Sequence, residues 1–148
     1  MRLYFGRVMF ASVALLGVAG VAFADGQDDR AKLTGKWQGA SANWMIEQNG
    51  DSVHIVNSNG AQTVEDISCS TSGKECAVKN AGHSAKVSMW FNGAKLVELE
   101  TTGNSTVKRR FSVSGNGDTL DVETIPVTAG GTGETVHYKR ATAETARQ

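Results

Sequence analysis

The sequence predicts an all-β fold: an antiparallel up-and-down meander of eight to ten strands closed into a β-barrel. Three observations carry this. From Leu33 onward the apolar residues recur with a period of two rather than 3.6, in short runs rich in Val, Ile, Thr, Trp and Phe. Turn signals interrupt these runs about every ten residues, at the spacing of an all-β domain. Asn-Gly, the pair that best tolerates the positive φ of tight hairpins, stands at 49–50, 59–60, 92–93 and 116–117. A long meander is most stable when its last strand closes on its first, because closure removes the exposed edges. A two-sheet β-sandwich is the alternative that the same pattern allows.

The elements follow in order. Residues 1–24 have the form of a cleaved signal peptide. Arg2 and Arg7 supply a positive start, Val8 to Phe23 an apolar stretch, and Ala22-Phe23-Ala24 a small-x-small cleavage pattern. The apolar stretch falls short of the roughly 20 residues that span a bilayer. The expectation is an exported chain, periplasmic or secreted, folding as a single domain over 25–148. Residues 25–32 form a polar arm. The alternation then places strands at 36–40, 43–49, 52–57, 61–69, 76–80, 83–91, 94–102, 105–114, 118–127 and 134–141, some of the early ones being segments of one bent strand. Pro126 lacks an N–H and should sit at a strand end or a bulge.

Composition excludes some classes of partner. Lys+Arg and Asp+Glu balance at 15 each among 148 residues, and loss of Arg2 and Arg7 with the signal leaves an acidic excess. A nucleic acid or an anionic membrane surface would need clustered basic charge. No integral membrane segment remains after signal removal.

Two cysteines, Cys69 and Cys76, enclose Ser-Thr-Ser-Gly-Lys-Glu. In an exported chain this reads as one disulfide across a hairpin. The spacing fits neither a Cys-x-x-Cys redox pair nor a zinc knuckle.

Strand parity assigns faces. Ala85, Val87, Met89 and Phe91 point inward, with Trp90 outward. Val107, Phe111 and Val113 point inward and Arg109 shares their face. Val136 and Tyr138 point inward and Arg140 shares theirs. Leu120, Val122, Val53 and Ile55 complete the interior. A buried guanidinium is costly unless paired. One reading gives Arg109 the head group of an anionic ligand inside the barrel, with Tyr138, Phe111 and Met89 around it, since bidentate recognition of a carboxylate suits Arg. The other puts each arginine near a barrel end, satisfied by solvent, a carboxylate or a ring.

Gly35-Lys36-Trp37 on the first strand and Tyr138-Lys139-Arg140 on the last together resemble the lipocalin (calycin) superfamily, and more closely its small, exported, lipocalin-like bacterial members. The resemblance implies that Trp37 closes one end of an eight-stranded barrel and that Arg140 packs over it, a cation–π contact between first and last strands. It makes Trp37, Arg140 and Gly35 structural. The chain departs from typical ligand-carrying lipocalins in its shortness and in a disulfide that staples one hairpin.

No catalytic constellation emerges. Gly82-His83-Ser84-Ala85-Lys86 lacks the last Gly and the following helix of a nucleophile elbow. His54, His83 and His137 lie off the apolar faces, and parity brings no pair of carboxylates inward. The expectation is a protein that is not an enzyme, with no cofactor and no metal. Its partner would be a small hydrophobic or amphipathic molecule held in the barrel. Two alternatives are an inhibitor of a secreted hydrolase, acting through the 25–32 arm or the Ser70–Glu75 disulfide loop, and a structural envelope protein without ligand.

Overall fold

The computed structural model describes residues 29–80 and 82–142. The signal at 1–24 and the start of the polar arm lie outside the described residues. A helical turn over 29–31 is followed by ten strands: β1 Gly35–Gln38, β2 Asn43–Asn49, β3 Ser52–Asn59, β4 Gln62–Ser70, β5 Ser72–Asn80, β6 His83–Asn92, β7 Lys95–Thr102, β8 Ser105–Val113, β9 Thr119–Pro126 and β10 Glu134–Arg140. The fold is the up-and-down meander barrel that the alternation implies. Gly50 and Gly93, at φ of 59° and 62°, show why Asn-Gly marks the corners, since a tight hairpin needs a residue without a Cβ penalty there. Pro126 is the last residue of β9. Among the described residues no helix is long and apolar enough to cross a membrane.

The ten strands form one sheet in the order β4-β3-β2-β1-β10-β9-β8-β7-β6-β5. First and last strands do pair, through Trp37 with Arg140 and Gln38 with Lys139. The ladder instead stops between β4 and β5, and the Cys69–Cys76 disulfide joins these two end strands, with Cα atoms 6.2 Å apart. The bridge therefore spans the seam of the barrel and not a hydrogen-bonded hairpin. Its supposed loop is also mostly strand. From Ser72 the chain pairs with β6, and a bulge between Ser72 and Glu75 absorbs the one extra residue. Replacing Cys69 and Cys76 by serine is expected to cost about 2–3 kcal/mol. This would be read as a lower urea midpoint with the β-type circular dichroism retained; an unchanged midpoint would show that the seam holds without its bridge.

One end of the barrel is sealed. Leu33 and Trp37 are fully buried, and the Trp37 indole N–H donates to the Leu33 carbonyl at 3.0 Å. The Arg140 guanidinium lies over the Trp37 ring, 4.1 Å from its centroid. It donates to the carbonyls of Gly117, Thr34 and Lys32 at 2.8, 3.0 and 2.6 Å. Arg30 covers Phe91 beside this floor and donates to the Gly93 carbonyl. Trp37, Ile46, Val53, Ile55, Val87, Met89, Leu96, Phe111 and Leu120 make a core closed to water above it. Each such side chain contributes about 1.5–3 kcal/mol by leaving water. The parity assignment holds for most of these positions. Val136 departs from it and is 40% exposed, because it stands near the open end of β10, where the barrel wall meets solvent.

Candidate functional site

Hairpin register decides what faces the upper interior. The turn after Asn92 sets Met89 opposite Glu98 and Val87 opposite Glu100. The next hairpin sets Glu98 opposite Arg109 and Glu100 opposite Val107. One row across the inner wall therefore reads Met89, Glu98, Arg109, and then Thr124 on β9. On the far side, Asn57 of β3 pairs with Glu65 of β4 just before a register shift, so Glu65 shares the inward face of Ile67 and Cys69.

These placements converge on one atom. Arg109 Nη1 lies 2.9 Å from a carboxylate oxygen of each of Glu65, Glu98 and Glu100. Glu98 is 1% exposed and Glu65 4%. Parity had brought no carboxylates inward; the structure brings three, because β7 and β4 follow the registers of their neighbours. The carboxylate oxygens lie within 4.8 Å of one another, the spacing of a metal site. The guanidinium fills the position that a cation would take.

Burial sets the protonation of the cluster. It pushes the Glu98 carboxyl up to about 7, against the pull of Arg109 and with the help of the neighbouring Glu65 and Glu100 charges. Burial raises Glu65 as well, again opposed by Arg109. For Arg109 burial works against the charge, and Glu98 and Glu65, with Glu100, more than offset it, so its pKa is raised. Glu65 and Glu100 share a hydrogen bond that needs a proton on one of them. Only once all three carboxyls are ionised, at alkaline pH, do they outnumber the one guanidinium.

The surroundings are half-buried. Arg109 keeps 17% of its side-chain surface exposed and Glu100 12%, and the inward-facing Asn57 and Val107 are likewise only partly buried. This end of the barrel is therefore less completely covered than the core below. Trp44 sits at the boundary, edge-on to Phe111 at 5.2 Å and to Tyr138 at 6.4 Å. Gly39 makes room for Tyr138, since a Cβ there would come within 2.6 Å of its ring. Three sealed polar atoms in this region have no hydrogen-bond partner among the described residues: Trp44 Nε1, Asn57 Oδ1 and Glu98 Oε2. Buried polar atoms are rarely left this way, and each marks a place where another molecule can bond.

Of the other singled-out residues, Met89 stands opposite Glu98 and Phe111 two residues from Arg109, both fully buried. Tyr138 packs against Trp44, and Trp37, Gly35 and Arg140 form the floor. His54 lies 2.8 Å from an oxygen of Asp66, and His137 lies 2.7 Å from one of Asp121, with Asp66 and His137 both well exposed. An open groove of about 450 Å³ crosses the outer faces of β1 to β4, lined by Lys36, Gln38, Met45, Val56, Ser58 and Thr63 among others. It gathers no converging polar groups of the kind seen inside.

No protein-family model matches the chain, and no curated protein matches it in sequence. Solved structures do match its fold. A structure described as the REP1-NXSQ fatty acid transporter aligns with a TM-score of 0.63 at 20% identity, over 76% of this chain and 98% of that one. A Schistosoma mansoni fatty acid binding protein in complex with arachidonic acid gives 0.61 at 18%, over 77% and 99%. A secretory abundant heat soluble protein from Ramazzottius varieornatus gives 0.62 at 16%, over 74% and 96%. The chain thus shares the antiparallel barrel fold of these solved structures.

Proposed function

We propose that this protein is an exported barrel that binds a small apolar or amphipathic molecule in its upper interior. The observation that carries the reading is the division of that interior. A sealed apolar floor with Met89, Phe111 and Tyr138 at its edge lies beneath a polar wall on which Arg109 and Glu100 are partly exposed and Glu65 and Glu98 buried. Ligand sites are typically apolar concavities with a few placed polar groups that fix orientation. The named fold relatives, a transporter and a binding protein for fatty acids, support the same reading. The binding residues are Arg109, Tyr138, Phe111 and Met89, with no catalytic role for any of them. The signal-like residues 1–24 and the disulfide are both consistent with export.

The test is displacement of a neutral fluorescent apolar probe, N-phenyl-1-naphthylamine, from the folded protein by twelve-carbon amphiphiles. Val107 stands opposite Glu100 on the inward face, and Val107→Trp places a large ring beside the polar wall. The wild type is expected to take up the probe and release it to the amphiphile, and Val107→Trp to weaken both at least about tenfold with its fold intact. Equal probe binding by the two proteins would put the site outside the barrel and overturn the reading.

A further inference from the structure

Resting on the interior-ligand reading, we infer that the site selects a head group that donates hydrogen bonds and carries positive charge, a long-chain amine in preference to a carboxylate. The sequence pointed the other way, because Arg109 taken alone is an anion receptor. In the structure its guanidinium already faces three carboxylates at 2.9 Å. A second anion entering beside Glu65, Glu98 and Glu100 would meet like charge on the wall where it must bind, in a region where burial strengthens charge interactions. A cation there supplies the positive charge that the cluster lacks once all three carboxyls are ionised.

The unpartnered atoms point the same way independently of the cluster's charge. Glu98 Oε2 and Asn57 Oδ1 are both sealed oxygens without a donor. The Asn57 amide donates to Glu65 Oε2 at 3.5 Å, so its free oxygen lies alongside the acidic wall. Two acceptors without donors are what an ammonium or amine N–H group satisfies, and a carboxylate offers them nothing. Trp44, 4% exposed and lying inside the barrel against Phe111, leaves its own N–H for a ligand that also accepts, as the hydroxyl of an amino alcohol would. Burial is the main cause of the raised Glu98 and Glu65 carboxyls, and repulsion among the neighbouring acidic groups, which a further counter-charge would relieve, adds to it. A bound ammonium would supply one.

The experiment compares dodecylamine, dodecanol and dodecanoate as competitors for the probe at pH 8, with the full chain and with Glu98→Gln. Glutamine keeps the shape and removes the charge. In the wild type dodecylamine should compete at least about tenfold better than dodecanoate, with dodecanol between. In Glu98→Gln the amine should lose most of that advantage while dodecanol is unchanged, a pattern that unspecific detergent binding would not produce. Dodecanoate competing as well as the amine would overturn the inference and leave the interior-ligand reading standing. An amine advantage untouched by Glu98→Gln would also overturn it. Failure of all three to compete would overturn both.

Discussion

Arg109→Met is expected to lower stability by about 3–5 kcal/mol at pH 8, because removing one partner of a buried ion cluster leaves the other charges uncompensated. Methionine keeps an unbranched stem of similar reach, so the loss reads charge more than packing. The pH dependence gives the prediction its sign. Burial pushes the Glu98 carboxyl up to about 7 in the folded protein, from 4.5 in the unfolded chain. Between those values the folded state binds more protons than the unfolded chain, so stability falls as pH rises from about 4.5 to 7. The Glu98 contribution to that fall is about 3 kcal/mol, and Glu65, raised in the same direction, adds to it. Without Arg109 the carboxyls hold their protons more tightly still. Urea titrations at pH 5 and pH 8 should therefore show the variant close to wild type at the acid value and far below it at the alkaline one. An equal loss at both would assign the cost to packing instead of charge.

Arg140→Ala should be of comparable size, about 3–5 kcal/mol, for a different reason. Three backbone carbonyls, from Lys32, Thr34 and Gly117, lose a charged donor at once. The Trp37 ring loses its cation as well. Arg140→Lys should recover only part of this, since an ammonium lacks the planar fork that reaches several acceptors while stacking on a ring. Gly35→Ala provides a second approach to the same contact. Its Cβ would come within 2.5 Å of Arg140 Nη1, at a φ of +147°. Chemical denaturation checks all three, and an Arg140→Ala midpoint within error of wild type would remove Arg140 from the closure of the barrel.

The strand pattern was legible because each hairpin carries its own marker, and nine of the expected strands overlap the observed ones closely. The exception is β5. Its first residues, Ser72 to Glu75, are short and polar and read as a loop, yet they pair with β6 across a bulge. The floor was legible at Trp37 and Arg140, where the two chain ends carry recognisable residues. The acidic wall escaped for a specific reason. Lys95 to Thr102 holds apolar residues at both parities, Leu96 on one and Val97 and Leu99 on the other, so periodicity alone cannot choose a face. The answer lay in the turns. Once Asn92-Gly93 fixes that hairpin, the inward Met89 forces Glu98 inward, and Gly103-Asn104 then forces Glu98 and Arg109 together. Glu65 needed the β3–β4 register as well, and the bulge after Asn57 obscures it. Side-chain reach across the barrel, which brings Glu65 to Arg109, has no one-dimensional signal.

The disulfide across the seam has a consequence for how copies of this chain behave together. Closure through hydrogen bonds would leave no free backbone for a neighbour to read. Here two strands, β4 and β5, each keep one side of the main chain outside the ladder, and the covalent link is what holds those sides against each other. A molecule whose link is broken can part at that line and offer two long templates for intermolecular strand addition. Cys69 and Cys76 thus do more than add stability. Replacing Cys69 and Cys76 by serine is therefore expected to raise strand exchange and aggregation between copies, read by size-exclusion chromatography.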